Sequence, residues 1–270
     1  MLKTALATIF VALLTLADAE RAGHGQLMTL GVGSGGGSGS TCDPNFSSVV
    51  LLIGNDNASN GTTTFTDQSG SAHSVTIGGG SPAYSTTSPP TGMSSSINVP
   101  SGAYLTSANS SNWQFGTGNW TVEAYINVST LPGGNTYVIA TTSPSGSVDE
   151  FILDLGQAGN NATSTQFSST TSSWDVDFAA GPAIGAVGTW YHVAFYRVGN
   201  NFYSSVNGTI SNVATDSNGG LATTNSLSIG SSSGQYGPFA GKMASLRITK
   251  GVARYGSSNF TPPSLPLPHC

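Results

Sequence analysis

From Phe46 onward the chain is written in short apolar runs, most alternating with polar residues and separated by turn clusters roughly every ten residues. A period of two predicts β-strands, and their spacing predicts a sandwich of many short antiparallel strands. Ser48 to Ile53 (SVVLLI) is a continuous apolar run suited to a buried strand. Trp120 to Asn127 places Trp120, Val122, Ala124 and Ile126 on one face and Thr121, Glu123, Tyr125 and Asn127 on the other. Trp190 to Val198 sets Trp190, His192, Ala194 and Tyr196 against Tyr191, Val193, Phe195 and Arg197. Both of its faces are mostly apolar, as expected of a strand covered on two sides. Gly199, Asn200 and Asn201 turn the chain into Phe202 to Val206, and Asn207-Gly208 suits a type I′ turn, so 190–212 is predicted to be a three-stranded meander. The last strong strand, Gly241 to Thr249, puts Met243, Ser245, Arg247 and Thr249 on one face and Ala244, Leu246 and Ile248 on the other. The tail TPPSLPLPHC is Pro-rich and extended.

The amino-terminal pattern is different. Residues 1–19 hold an early Lys3, an apolar stretch from Ala5 to Ala17 and a small-residue Ala17-Asp18-Ala19 ending, the layout of a secretory signal peptide. The stretch is shorter than the ~20 residues of a spanning helix. Leu2, Leu6, Ile9, Leu13 and Leu16 also recur at spacings of 4, 3, 4 and 3, the seam of a short coiled coil whose Leu and Ile placement leans away from dimers and favours a trimer. Cleaved signal and retained anchor or assembly helix both stand open. The organisation expected is a hydrophobic helix over 1–30, a Gly/Ser-rich linker over 31–42 and one β domain over 43–270.

Composition narrows the function classes. Charged residues are 7% of the 270, against about 25% in an average chain, and the formal net charge is −5. A nucleic-acid partner is therefore not expected, nor are helical bundles, whose exposed faces need Glu, Lys and Arg. Ser, Thr, Asn and 36 Gly supply the polar surface, as suits turns and β-surfaces. Cys42 and Cys270 flank the domain and could be a bridge or two unrelated thiols. His24, His73, His192 and His269 are isolated and no CxxC occurs, so a structural zinc is not expected.

Four segments carry a family likeness: DPNFSSVVLLIGNDNASNGTTTFTDQSGSAHSVTI, GTGNWTVEAYINV, GTWYHVAFYRVGNNFYSSVNGT and PFAGKMASLRITKGVARYGSSNFTPPSLPLP. The last is the most specific, with Arg247 to Tyr255 followed by Phe260-Thr261-Pro262-Pro263. Over about residues 43–268 the chain resembles the concanavalin A-like lectin/glucanase superfamily, in the laminin-G-like form common in bacteriophage structural proteins. Tyr125, where the pattern usually has Trp, and Asn55, where it has His or Gly, depart from it in packing more than in fold. The resemblance implies an all-β, two-sheet antiparallel jelly-roll sandwich. It also implies a virion fibre, spike or capsid-decoration protein at the virion surface, contacting glycans on a cell surface and other virion proteins.

Because glucanases share this sandwich, candidate chemistry needs its own test. Asp175 and Asp177 lie at i, i+2 and Glu150 and Asp154 at i, i+4, and neither pair matches the Glu-x-Asp-x-Glu arrangement of the glucanases. No catalytic residues are expected. Asp175 and Asp177 read first as a solvent-facing edge strand, with a Ca2+ site or sugar contact as alternatives. Trp174 reads as core before stacking platform. Trp113, in the polar loop NSSNWQFGTG, and Tyr236, in SSSGQYGPF, are the exposed aromatics expected to stack on sugar. Glu123 and His192 are expected to form a structural hydrogen-bonded pair, and Arg247, Lys250 and Arg254 to fix the closing loop to the body. The resulting expectation is a non-enzymatic, homo-oligomeric virion surface protein that binds glycans and uses no cofactor. A secreted carbohydrate-binding module and a capsid cement protein are the alternatives.

Overall fold

A computed structural model describes residues 42–270. The expected helix over 1–30, its seam Leu2, Leu6, Ile9, Leu13 and Leu16, and all of the linker but Cys42 lie outside the described residues. The apolar runs pair into two antiparallel sheets of eight strands each. The first sheet contains β1 (Val49–Ile53), β4 (Ala83–Ser85), β5 (Ser96–Val99), β7 (Trp120–Val128), β12 (Tyr191–Val198), β13 (Asn201–Val206), β14 (Thr209–Thr215) and β16 (Gly241–Lys250). Its order is β14-β13-β12-β7-β16-β5-β4, with β1 also on β16. The second sheet contains β2 (Phe65–Thr66), β3 (Ser74–Gly79), β6 (Tyr104–Ser107), β8 (Tyr137–Thr141), β9 (Phe151–Leu155), β10 (Ala162–Phe167), β11 (Val176–Ala183) and β15 (Leu227–Ile229). Its order is β11-β10-β9-β8-β15-β6-β3-β2. The predicted meander is β12-β13-β14, and Asn207 (φ 49) and Gly208 (φ 78) both take the left-handed values of its turn.

Every second side chain points between the sheets, so Val122, Ile126, Val193 and Phe195 meet Leu105, Phe151, Leu153 and Phe167 in one core. Aromatic rings fill one end: Phe115 stacks on Trp120 at 4.8 Å and on Phe151 at 5.2 Å. Arg197 is wholly buried there, its guanidinium 5.0 Å from the Phe202 ring, and donates to the carbonyls of Gly116, Gly199, Asp216 and Asn218. The loops at that end are gathered on a cation that meets carbonyls and no side-chain carboxylate among the described residues.

Strict alternation fails in β16. Ser245 adopts φ 50 and the β16–β7 register shifts between Ala244 and Arg247. This β-bulge turns Met243 into the core beside Leu246 and Ile248, rather than onto the face of Arg247 as the period of two predicts. One extra residue in the strand reverses the parity on either side of it.

The outer face of the first sheet is closed by the chain's own tail. Arg247 reaches Glu123 at 2.8 Å and Asp43 at 3.2 Å, Arg254 reaches Asp43 at 2.7 Å, and His192 Nε2 lies 3.0 Å from Glu123 Oε2. The Tyr255 hydroxyl donates to Glu123 Oε2 at 2.5 Å and its ring stacks on Phe260 at 3.7 Å. Asn55 holds Leu267 from both sides, accepting its N–H at 2.7 Å and donating to its carbonyl at 3.1 Å, while the Tyr125 hydroxyl donates to the Pro263 carbonyl. Asn55 and Tyr125, the two departures from the family pattern, are thus both tail contacts. Gly208 has no room for a side chain because the Phe260 carbonyl lies against it. Cys270 closes the strap on Cys42, Cα to Cα 5.4 Å, so the open question of the two thiols resolves as a bridge.

A crosslink spanning 228 residues constrains the unfolded chain heavily. Cys270→Ser is expected to lose about 2–5 kcal/mol in guanidinium melts under oxidising conditions, with no further loss on adding reductant. Coincident curves for variant and wild type would refute it.

Candidate functional site

With the middle of the first sheet covered by the tail, the outer face of the second sheet keeps partly exposed side chains on β3 and β6, whereas β8, β9 and β10 are buried on both faces. Thr106, Ser228 and Thr141 follow one another across β6, β15 and β8 on that face. Tyr104, Thr106, Thr142, Pro144, Asn225 and Ser228 line a groove of about 260 Å3 over it. Tyr104 is half-buried, and its ring rests on Gly78 and Gly79 of β3, where any side chain would collide with it. Two glycines inside a strand cost stability, and here they seat a flat aromatic ring. Asn225 is oriented by donating to Asp149 Oδ2 at 2.5 Å. The groove combines one fixed aromatic face with hydroxyls and an amide, and none of these six residues is charged.

Tyr236 lies on the Ser231–Phe239 loop, whose Ser233 lines the groove. It is half-buried, its ring packs over Gly146 and its hydroxyl lies 3.4 Å from Thr136 Oγ1. Burial, together with the charges of Asp154 and Asp177, raises its pKa. The structure therefore brings two of the sequence-predicted residues, Tyr236 and Asp177, to one region of one face.

The other candidates fall elsewhere. Trp113 is corrected outright: it is 0% exposed, closes a 3-10 turn over Ser111–Trp113 capped by Ser110, and donates its indole N–H to the Ala108 carbonyl at 3.0 Å. A polar loop surrounds it in sequence, yet the turn drives the ring inward against His73 at 4.5 Å. Trp174 is half-exposed and so is not the core residue first expected. Asp175 accepts from Ser169 N at 2.5 Å and Asn218 Nδ2 at 3.0 Å, whereas Asp177 accepts from Gln166 Nε2 at 3.2 Å. Their carboxylates serve different partners instead of converging on a Ca2+ position, and no group of three or more His, Cys, Asp or Glu suited to a metal occurs among the described residues.

Sequence reasoning passed over Tyr104 and Phe178. The Gly78-Gly79-Gly80 run was the available signal for the first. Phe178 is 42% exposed with φ 44, where the β10–β11 register shifts, so a bulge turns an aromatic ring outward beside Asp177.

Neither carboxylate of the i, i+4 pair is placed for hydrolysis. Glu150 is 0% exposed and its Oε1 accepts the Phe115 N–H; Asp154 is equally buried. Burial, helped by the charge of Asp149, pushes Glu150 up to about 8. At Glu123 burial acts the same way but is outweighed by Arg247, His192 and Tyr255, which hold it down to about 2. The two groups act on stability with opposite sign. Glu123 stabilises above its ordinary 4.5 and that contribution is lost as pH falls toward 2. Glu150 costs nothing below 4.5 and destabilises increasingly as pH rises toward 8. Glu150→Gln is therefore expected to match wild type in denaturant melts at pH 4 and to exceed it progressively up to about pH 8. A pH-independent difference would contradict this placement.

The described fold can be set beside known proteins. Residues 100–253 match a laminin-G-like family model described as the concanavalin A-like lectin/glucanases superfamily. No curated protein matches the sequence. Among solved structures, domain 4 of AbnA, a GH43 extracellular arabinanase from Geobacillus stearothermophilus, in complex with arabinotriose, is similar with TM-score 0.53 at 18% identity, covering 75% of this chain and 92% of that one. The binding domain of Paraclostridial Mosquitocidal Protein 1 is similar with TM-score 0.54 at 10% identity, covering 77% and 50%. The botulinum neurotoxin serotype D binding domain is similar with TM-score 0.53 at 14% identity, covering 78% and 50%. This chain thus spans half the length of the two toxin domains. At these identities the likeness is one of fold. A two-sheet sandwich whose strands 100–253 fit the family model over more than half of the chain belongs to the concanavalin A-like lectin/glucanases superfamily.

Proposed function

We propose that the chain is a non-enzymatic bacteriophage virion surface protein, a fibre, spike or capsid decoration, whose lectin-like domain binds host or environmental glycans through the outer face of the second sheet. The observation that carries this reading is the glycine-seated Tyr104 beside an uncharged Ser, Thr and Asn groove, on the face that the tail leaves free. An aromatic face meets the C–H side of a sugar, and hydroxyl and amide groups meet its edges. Every basic side chain among the described residues is committed elsewhere: Arg197 to carbonyls, Lys242 to the Thr87 carbonyl, Lys250 to Ser111, and Arg247 and Arg254 to Asp43 and Glu123. A neutral polar ligand suits such a surface better than an anionic one. The similar domain solved with arabinotriose lends support. The virion setting rests on the likeness of the 247–263 segment to phage structural proteins. The N-terminal segment would join the domain to other virion proteins and trimerise it, which adds avidity to weak sites.

Tyr104→Ala is expected to weaken binding to a glycan array and in titration calorimetry by about tenfold or more, with the thermal midpoint little changed. Binding equal to wild type would remove Tyr104 from the site, and a wild-type chain blank on the array at high valency would favour a cement role.

The Cys42–Cys270 bridge supports a second reading, a secreted carbohydrate-binding module, because disulfides persist in oxidising surroundings. Amino-terminal sequencing of the native protein is expected to find Met1 for the virion anchor and Glu20 for the secreted module.

A further inference from the structure

The second sheet's outer face also contains polar groups that nothing described so far employs. On β9 and β10, Asp154 stands opposite Ser164 and Ile152 opposite Gln166, so alternation brings Asp154, Ser164 and Gln166 onto one patch, away from the core face of Leu153 and Thr165. They are 0%, 0% and 2% exposed. Both Asp154 carboxylate oxygens, Ser164 Oγ and Gln166 Oε1 lack a hydrogen-bond partner among the described residues. Burial pushes the Asp154 carboxyl well above the usual carboxylate range, and the Gln157 N–H and the Ser164 hydroxyl pull against that rise without cancelling it. Buried polar atoms left unmatched destabilise the fold, so a purely structural strand would be more stable with apolar residues at these positions.

We propose that Asp154, Ser164 and Gln166 form the floor of the glycan site, reading a pair of adjacent hydroxyls on a neutral sugar, and that the Tyr236 loop is the cover that opens over them. This deepens the glycan-binding reading above and rests on it. The unmatched atoms are three acceptors and one hydroxyl. A sugar hydroxyl donates as well as accepts, so it fits Asp154 whether that group is ionised or protonated. The titratable groups facing the patch are Asp177, joined to Gln166 at 3.2 Å, and Tyr236, which feels the charges of Asp154 and Asp177. No basic side chain of the described residues reaches it, so sialylated or uronic glycans meet repulsion there.

The loop lies directly against β8. Gly237 lies so close that a side chain on it would come 2.5 Å from Val138, the cross-strand neighbour of Asp154. Ser233, Gly234 and Gly237 take φ of 51, 74 and 60, which bends the loop tightly over β8. It is tied to β8 by the Val138 N–H, which donates to the Gly237 carbonyl at 2.8 Å, and by Ser232 to the Ser143 carbonyl and Ser145 to Gln235 at 2.6 Å; Phe239 at its end is buried and Tyr236 is half-buried. In this proposal, local release of the Ser232–Gly237 stretch, with Phe239 staying in the core, is what would uncover the floor.

The test uses the full chain on an array of neutral, N-acetylated and acidic glycans, then calorimetry with the best neutral oligosaccharide. Asp154→Asn and Gln166→Ala are expected to weaken binding about tenfold or more, as the loss of hydrogen bonds to a charged or buried group does. The Asp154→Asn midpoint should stay or rise, since a buried carboxyl that burial disfavours in its charged form is replaced by a neutral amide. Wild-type affinity in Asp154→Asn, with Tyr104→Ala impaired, overturns the floor and leaves the groove reading standing. A fall of the Asp154→Asn midpoint overturns it too, by making the group structural, as does a preference for acidic glycans. A wild-type chain blank on the array ends both readings.

Discussion

Glu123 sits in the middle of a β-sheet face with 1% of its surface exposed, and a carboxylate so placed is tolerable only when cations and donors surround it. Arg247 from the neighbouring strand, His192 from the strand on the other side and Tyr255 from the tail all close on it, and Asp43 completes the group by engaging Arg247 and Arg254. Four regions distant in sequence are thereby held at one point: the domain's first residues, its central strand β7, the neighbouring strand β12 and its closing motif. Removing one partner would leave the others buried and unmatched, so the network acts as a unit. The Pro-rich tail has no strand pairing of its own and lies on the sheet because this cluster, Asn55 and the Cys42–Cys270 bridge hold it there.

Closing one face determines what remains for function. The scarce charge of the chain is spent inside: Arg197 gathers loops at the aromatic end, and Arg247 and Arg254 lock the tail. The second sheet is left with Ser, Thr, Asn, Tyr and a few acids, a surface that repels anions and offers uncharged partners many weak hydrogen bonds. Glycines contribute where space is the constraint, Gly78 and Gly79 under Tyr104 and Gly208 against the Phe260 carbonyl.

Two bulges show how small backbone insertions redirect side chains. At Ser245 the bulge allows β16 to serve β5 and β7 with one stretch and β1 and β7 with the next, while keeping Met243, Leu246 and Ile248 in the core. At Phe178 the same device on an edge strand aims a large apolar ring outward. The first is structural and the second sits beside the proposed ligand face, in keeping with the tendency of bulges to cluster at sheet edges and sites.

Alternation along WTVEAYINV and WYHVAFYRV, the Asn207-Gly208 turn and the charge scarcity were enough to determine an all-β sandwich, its meander and the Glu123–His192 pair, because strand parity and turn chemistry are local properties of the chain. The closing motif carried the family for the same reason: its residues are adjacent in sequence. The site was not legible in that way. Trp113 looked exposed because its neighbours are polar, and only the packed 3-10 turn sends it inward. Tyr104 became a platform through glycines on another strand, and Asp154 met Ser164 and Gln166 through a register set by the whole sheet. Which surfaces the tail covers, and which polar atoms lack partners, are long-range facts: they exist only once both sheets have paired and the tail has closed over the first.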